Sequence, residues 1–205
     1  MAIISNGTTI ADAGAFSASL GSMVLIKKLT VSAGDGSKTF VNQAGGEQIF
    51  TSTFQTYHFT FTNIHPVNDN VNFQVNFRDS DTNYDAPKTT TFFRAYHGEG
   101  GEGGVLQYQD NDLANGTGVQ VLAESGNDND QCTSGTLTLF SPLSTTFVKH
   151  FISNFNFSNG SNYSMNTYCA GYINATSIVD GVQFSFSSGD MGGGGEICCY
   201  GIKES

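Results

Sequence analysis

Tryptophan is absent from this 205-residue chain, proline occurs three times, and Asp, Glu, Lys and Arg together make up only 13%. Each shortage excludes something. About a quarter of an average soluble protein is charged, so Asn, Gln, Ser and Thr must solubilise this surface, helped by a net charge of −10. That acidic balance repels phosphate backbones and anionic headgroups, which argues against nucleic acid and against membrane insertion. No run reaches the roughly 18 apolar residues of a membrane helix, and no basic segment precedes an apolar one at the start. The expectation is a protein made in a cytoplasm and not exported by that route. Cys132, Cys169, Cys198 and Cys199 lack C-x-x-C spacing and sit in strand-like runs, so free buried thiols are expected rather than disulfides or zinc ligands. Asn6, Asn115, Asn159, Asn162 and Asn174 each begin an N-x-S/T triplet, which reads as a by-product of an Asn/Ser/Thr-rich surface.

Helical periodicity is missing as well, and strict alternation takes its place. Val71, Phe73, Val75 and Phe77 alternate with Asn72, Gln74 and Asn76, the pattern of a strand with one face buried. Similar runs are expected at 22–31, 57–62, 89–97, 104–109, 118–123, 135–140, 146–153, 163–174, 181–186 and 196–202. Met23, Leu25, Val24 and Ile26 make both faces of the first run apolar, which places it centrally in a sheet. Gly, Asn and Asp clusters at 34–36, 79–85, 98–104, 110–118, 124–130, 158–162 and 187–195 supply the turns, since these residues tolerate a left-handed backbone. About ten strands of ordinary length with no helix between them predict an all-β protein, an antiparallel β-sandwich of jelly-roll type, with a barrel as the second choice. Residues 22–205 suit one such domain. Residues 1–21 are small and weakly patterned, and read as an arm that orders only against its own domain or a neighbouring subunit.

Motifs that carry chemistry are few. Gly98, Gly100 and Gly103 satisfy G-x-G-x-x-G, but a dinucleotide site needs a following helix, and a strand is expected there; Glu99 and Glu102 would also repel a pyrophosphate. Asp79 with Asp81, and Asp128 with Asp130, could offer oxygen ligands to calcium, although a solvated turn is the plainer reading of each pair. No other cofactor is expected. Paired carboxylates could serve a glycosidase, yet those here lie in glycine loops with no dry pocket to raise a pKa. His58, His65, His97 and His150 are scattered, and no nucleophile elbow or zinc-protease motif exists. The chain is therefore read as not an enzyme. Tyr84, Tyr96, Tyr108, Tyr163, Tyr168 and Tyr172, expected at strand ends or near loops and set among Asn and Asp, have the chemistry of a sugar-contacting surface or of plain core and subunit contacts.

Several segments carry a resemblance. These are ISNGTTIADAG (4–14), IKKLT (26–30), NIHP (63–66), AYHGE (95–99), GNDNDQ (126–131), SGTLTLF (134–140), STTFVKHFIS (144–153), AGYINATS (170–177) and GEICCYGIK (195–203). Together they resemble a family of small virion-associated proteins of tailed marine bacteriophages, those of cyanobacteria in particular. The usual ending of that family is a strand of the form GTI-x-x-YGI; here Glu196 stands for the Thr, and Cys198 and Cys199 follow. The resemblance implies a β-rich structural protein of the virion, made in the host cytoplasm, and no catalytic residue. On that basis the expected role is a tail-fibre or receptor-binding component that works as a homo-oligomer, a trimer, with residues 1–21 contacting other virion proteins. Host contact, to a surface glycan or protein, is expected at three loops carrying His97, Glu99, Glu102, Tyr108, Asp110, Asp112, Asp128 and Asp130. A capsid-decorating or head-fibre protein is the first alternative and a glycan-depolymerising enzyme the second.

Overall fold

The computed structural model describes residues 3–5, 7–12, 15–16, 22–79 and 81–203. Three short strands near the start, β1 (Ile3–Ser5), β2 (Thr8–Asp12) and β3 (Ala15–Phe16), form a small antiparallel sheet of their own. Residues 17–21 lie outside the described residues, so the arm expected at 1–21 is described only in those three strands and Gly7.

Twelve strands build the main body as a two-sheet sandwich. The larger sheet runs in the order β4 (Met23–Thr30), β15 (Glu196–Ile202), β6 (Thr56–Ile64), β11 (Thr133–Phe140), β12 (Lys149–Ser158), β13 (Tyr163–Ile173), β8 (Lys88–Gly98), β9 (Val105–Tyr108). The smaller runs β10 (Gln120–Ser125), β7 (Val71–Arg78), β14 (Gly181–Phe186), β5 (Ser37–Val41). Every pairing is antiparallel. Within a sheet only β8–β9, β11–β12 and β12–β13 follow one another directly; every other connection of the body crosses from one sheet to the other. This unequal pairing of eight strands with four is an all-β sandwich, but not the eight strands in two Greek keys that define a jelly roll.

Alternation decides which atoms meet between the sheets. Val71, Phe73, Val75 and Phe77 of β7 all face inward and are buried. Tyr57, Phe59 and Phe61 of β6 and Phe151, Phe155 and Phe157 of β12 face them from the larger sheet. Phe184 of β14 is the hub: its ring lies 4.8 Å from Phe61, 5.7 Å from Phe59, 6.0 Å from Phe73 and 6.3 Å from Phe40, mostly edge to face. Such pairs contribute about 0.5–1.5 kcal/mol each beyond the area they remove from water.

Most strands stand where alternation placed them, and four expectations need correction. First, β4 is an edge strand paired only with β15, not a central one. The start of its outer face is apolar yet uncovered, with Met23 and Leu25 about half exposed. Second, the run at 146–153 starts later: the N–H groups of Thr146 and Phe147 donate to Ser144 Oγ in a turn, and the strand begins at Lys149. Third, β5 was not expected, because only Phe40 of its five residues is fully buried and the run is too short to show a period. Fourth, Tyr168 sits mid-strand in β13, away from any loop.

Because so many connections cross between sheets, loops collect at the two ends of the sandwich. β4 begins and β15 ends at one of these, where Lys203 N–H donates to Ser22 O at 2.7 Å; this is called the terminal end. Turns between β4 and β5, β6 and β7, β8 and β9, β10 and β11, β12 and β13, and β14 and β15 gather at the other, called the distal end.

Candidate functional site

The distal end is a platform of loops tied together by neutral amides. Asn127 Nδ2 donates to Val67 O at 2.9 Å, and Gly160 N–H donates to Asn70 Oδ1 at 2.9 Å. Gln131 Nε2 donates to Asn162 Oδ1 at 3.1 Å, and the Gln131 carbonyl lies 2.7 Å from His65 Nδ1. Glu99 N–H reaches Asn162 O at 3.0 Å, so the β8–β9 loop is fastened to the β12–β13 turn. Asn63, Asn70 and Asn162 hold left-handed backbones with φ of 52°, 51° and 59°, the conformation Asn accepts at little cost. One residue type therefore shapes the turns and cross-links them. Four connections become one surface.

The eight residues expected to meet a partner are all exposed, but they do not form one face. His97, Glu99 and Glu102 lie on the β8–β9 loop, and Asp128 and Asp130 on the β10–β11 loop, both at the distal end. Glu102 folds back over Gly98 and Gly100, whose missing side chains leave the space. No helix follows this loop, as the strand at β9 required. The third loop runs elsewhere. Gln109 N–H donates to Phe92 O, Leu113 pairs with Thr90, and Gly116 pairs with Lys88, so residues 109–118 lie along β8 toward the terminal end. Tyr108 donates to Asp112 Oδ2 at 2.7 Å on that side, and the neighbouring carboxylate pushes its phenol pKa up. Asp110 and Asp112 thus stand apart from the distal platform; the free N–H and C=O groups of β8 drew their loop down its edge.

Of the calcium candidates, Asp79 and Asp81 come together with Asp85, their ligand atoms within 4.8 Å of one another. They lie after β7 at the terminal end, so no single ion joins them to Asp128 and Asp130 at the distal end. Two lysines give this acidic group another role. Lys88 and Lys149 are fully buried and flank Ile173 in one inward row across β8, β13 and β12. Lys88 Nζ donates to Ala86 O at 2.9 Å and Gly118 O at 2.7 Å, and Lys149 Nζ donates to the carbonyls of Ala175 and Ser177. Burial lowers both pKa values, that of Lys88 to about 8, while Asp79 opposes the shift at both and Asp85 at Lys88. The carboxylates are counter-charges to a buried pair of ammonium groups. Sequence reasoning missed those lysines, since a strand Lys normally reads as outward.

The outer face of the larger sheet is the other notable surface. In one row Thr60, Thr136, Asn154, Tyr168, Phe93 and Tyr108 stand side by side. Its polar half is the neutral hydrogen-bonding surface that alternation promised. Its other half is aromatic: the Phe93 and Tyr168 rings stack 5.1 Å apart at 12°, about two-fifths exposed, with Leu106 and Ile152 nearby and more exposed still. A cavity of about 970 Å³ lies at the terminal end between Phe54 and the β11–β12 loop, with Phe147 exposed at its rim. All four cysteines are free, and Cys198 and Cys199 face opposite sides of β15 as adjacent strand residues must.

Comparison of the chain with protein-family models, curated proteins and solved structures finds no match.

Proposed function

We propose that this chain is a structural protein on the exterior of a tailed bacteriophage particle, a tail-fibre or receptor-binding component that meets the host surface through its distal loops. The observation that carries the reading is the polarity of the sandwich: its first strand, β4, begins and its last, β15, ends at one end, and cross-tied exposed loops occupy the other. Such a layout suits attachment below and contact above. Loops fixed in advance lose little conformational freedom on binding, which favours contact with a rigid glycan or protein surface. The chain works as a homo-oligomer, a trimer, whose copies cover the apolar outer face around Phe93, Tyr168, Leu106 and Ile152, a kind of patch that marks interaction sites. Several copies multiply weak single contacts into firm adsorption. Candidate carboxylates that face solvent suit contact better than proton transfer, which needs a dry site.

Two measurements test this. Antibody labelling of intact particles places the label on the tail, and purified protein incubated with host cells lowers adsorption of the particle. Label confined to the head would replace the reading with capsid decoration. New reducing ends released from host polysaccharide would replace it with a depolymerase.

A further inference from the structure

The larger sheet is twice as many strands wide as the smaller, so part of its inner face projects beyond β10. Thr167 on β13 still lies under β10, its hydroxyl donating to Leu122 O at 2.5 Å. Arg94, paired with Thr167 in register, is one strand further out. There it lines a cavity of about 290 Å³ with Tyr96, Glu124, Asn159, Tyr163 and Met165.

Arg94 is unlike the other cations. Lys27, Lys28, Lys38 and Arg78 are in ion pairs, and Lys88 and Lys149 are held by carbonyls. Among the described residues Arg94 forms no ion pair, and its Nε–H is buried with no acceptor. The guanidinium is thus short of acceptors, and its terminal NH₂ groups, which no described protein group holds, are the donors a ligand in the cavity would meet. Its guanidinium lies 5.5 Å from the Tyr96 ring centre, and Tyr96 meets Tyr163 edge to face at 5.7 Å. Asn159 Oδ1 accepts from the N–H groups of Ser161 and Tyr163, which leaves its NH₂ donors for a ligand.

We propose that this cavity binds one neutral sugar ring with vicinal hydroxyls. Such a ring accepts from Arg94 and Asn159 and donates to Glu124 at once, while its C–H face packs on tyrosine. The volume is at the small end of the roughly 300–1,000 Å³ of small-molecule sites, enough for a single ring rather than a chain. Glu124 and the −10 net charge disfavour a carboxylate or phosphate ligand. This cavity borders the distal platform through Asn159 of the β12–β13 turn, but its occupancy does not depend on where the protein is displayed, so it can fail without the proposed function failing.

The test is saturation-transfer NMR and calorimetry on the full chain, with a panel of neutral methyl hexopyranosides and methyl glucuronide. At least one neutral hexoside binds saturably. Arg94→Met weakens it by roughly tenfold or more, the loss of one charge-assisted hydrogen bond, and Arg94→Lys, which keeps the charge but not the fork, weakens it less. Glu124→Gln admits the glucuronide. Melting curves within a few degrees of wild type confirm that each variant folds; should Arg94→Met not fold, Arg94→Lys and Glu124→Gln decide. No binding of any neutral hexoside at tens of millimolar, unchanged affinity in folded Arg94 variants, or preference of the wild type for glucuronide would overturn the proposal.

Discussion

Replacing Lys88 by methionine removes a buried ammonium while keeping a stem of similar length, and the consequence is a change in how stability depends on pH. Burial lowers the Lys88 pKa from its ordinary 10.5 to about 8. A depressed pKa means that the unfolded chain binds the proton more tightly, so stability rises as pH climbs through the folded value and is lost as pH falls below it. The full cost of holding the charged form inside is roughly 3 kcal/mol. Of that, about 1 kcal/mol is regained between pH ~7 and ~9. Methionine removes this cost at every pH but strands the carbonyls of Ala86 and Gly118, at about 1–3 kcal/mol. At neutral pH the two effects nearly cancel, so the diagnostic quantity is the slope. Stability of Lys88→Met minus that of wild type falls by about 1 kcal/mol over that window. Thiols act the other way: burial pushes Cys169 up to about 12 and Cys199 higher still, and their contribution is lost as pH rises past 9. Both proteins carry these thiols, so the difference cancels them. Urea denaturation with reductant, followed by circular dichroism at three pH values, measures it. A flat difference, or one that grows with pH, would refute the account of Lys88 as a desolvated cation.

Three further outcomes follow from the packing. Phe184→Ala removes the ring that four others touch and costs about 3–5 kcal/mol in urea denaturation. Gly195→Ala is expected to lose at least ~2 kcal/mol by the same assay, since a Cβ there would meet the backbone carbonyls of Asn63 at 2.5 Å and Thr62 at 2.8 Å, neither free to swing aside. With an aromatic disulfide reagent the folded protein titrates Cys132 alone, because Cys169, Cys198 and Cys199 are buried; the remaining three react once urea unfolds the chain, and rapid reaction of all four in the native state would contradict the burial.

How far the chain could be read in advance differs between core and surface. Period-2 alternation is a local signal, and at β6, β7, β13, β14 and β15 it marked strands close to their observed limits. It could not reveal neighbours. Nothing local distinguishes β4 at an edge from a central strand, because both faces of its sequence are apolar and only the sheet order leaves one uncovered. The loop at 109–118 looks in sequence like the other Asn/Asp/Gly turns, yet pairing with β8 carries it away from the distal end.

The residues alone therefore determined the all-β class, the inward phenylalanines, the free thiols and the neutral outer rows, since each depends on alternation within a few neighbours or on composition. Tertiary structure decided which loops share an end, which lysines are buried, and that Arg94 overhangs the smaller sheet with an unmet donor. Those depend on strand order and on the difference in width between two sheets, quantities set by contacts among residues far apart in the chain, to which no local pattern is bound.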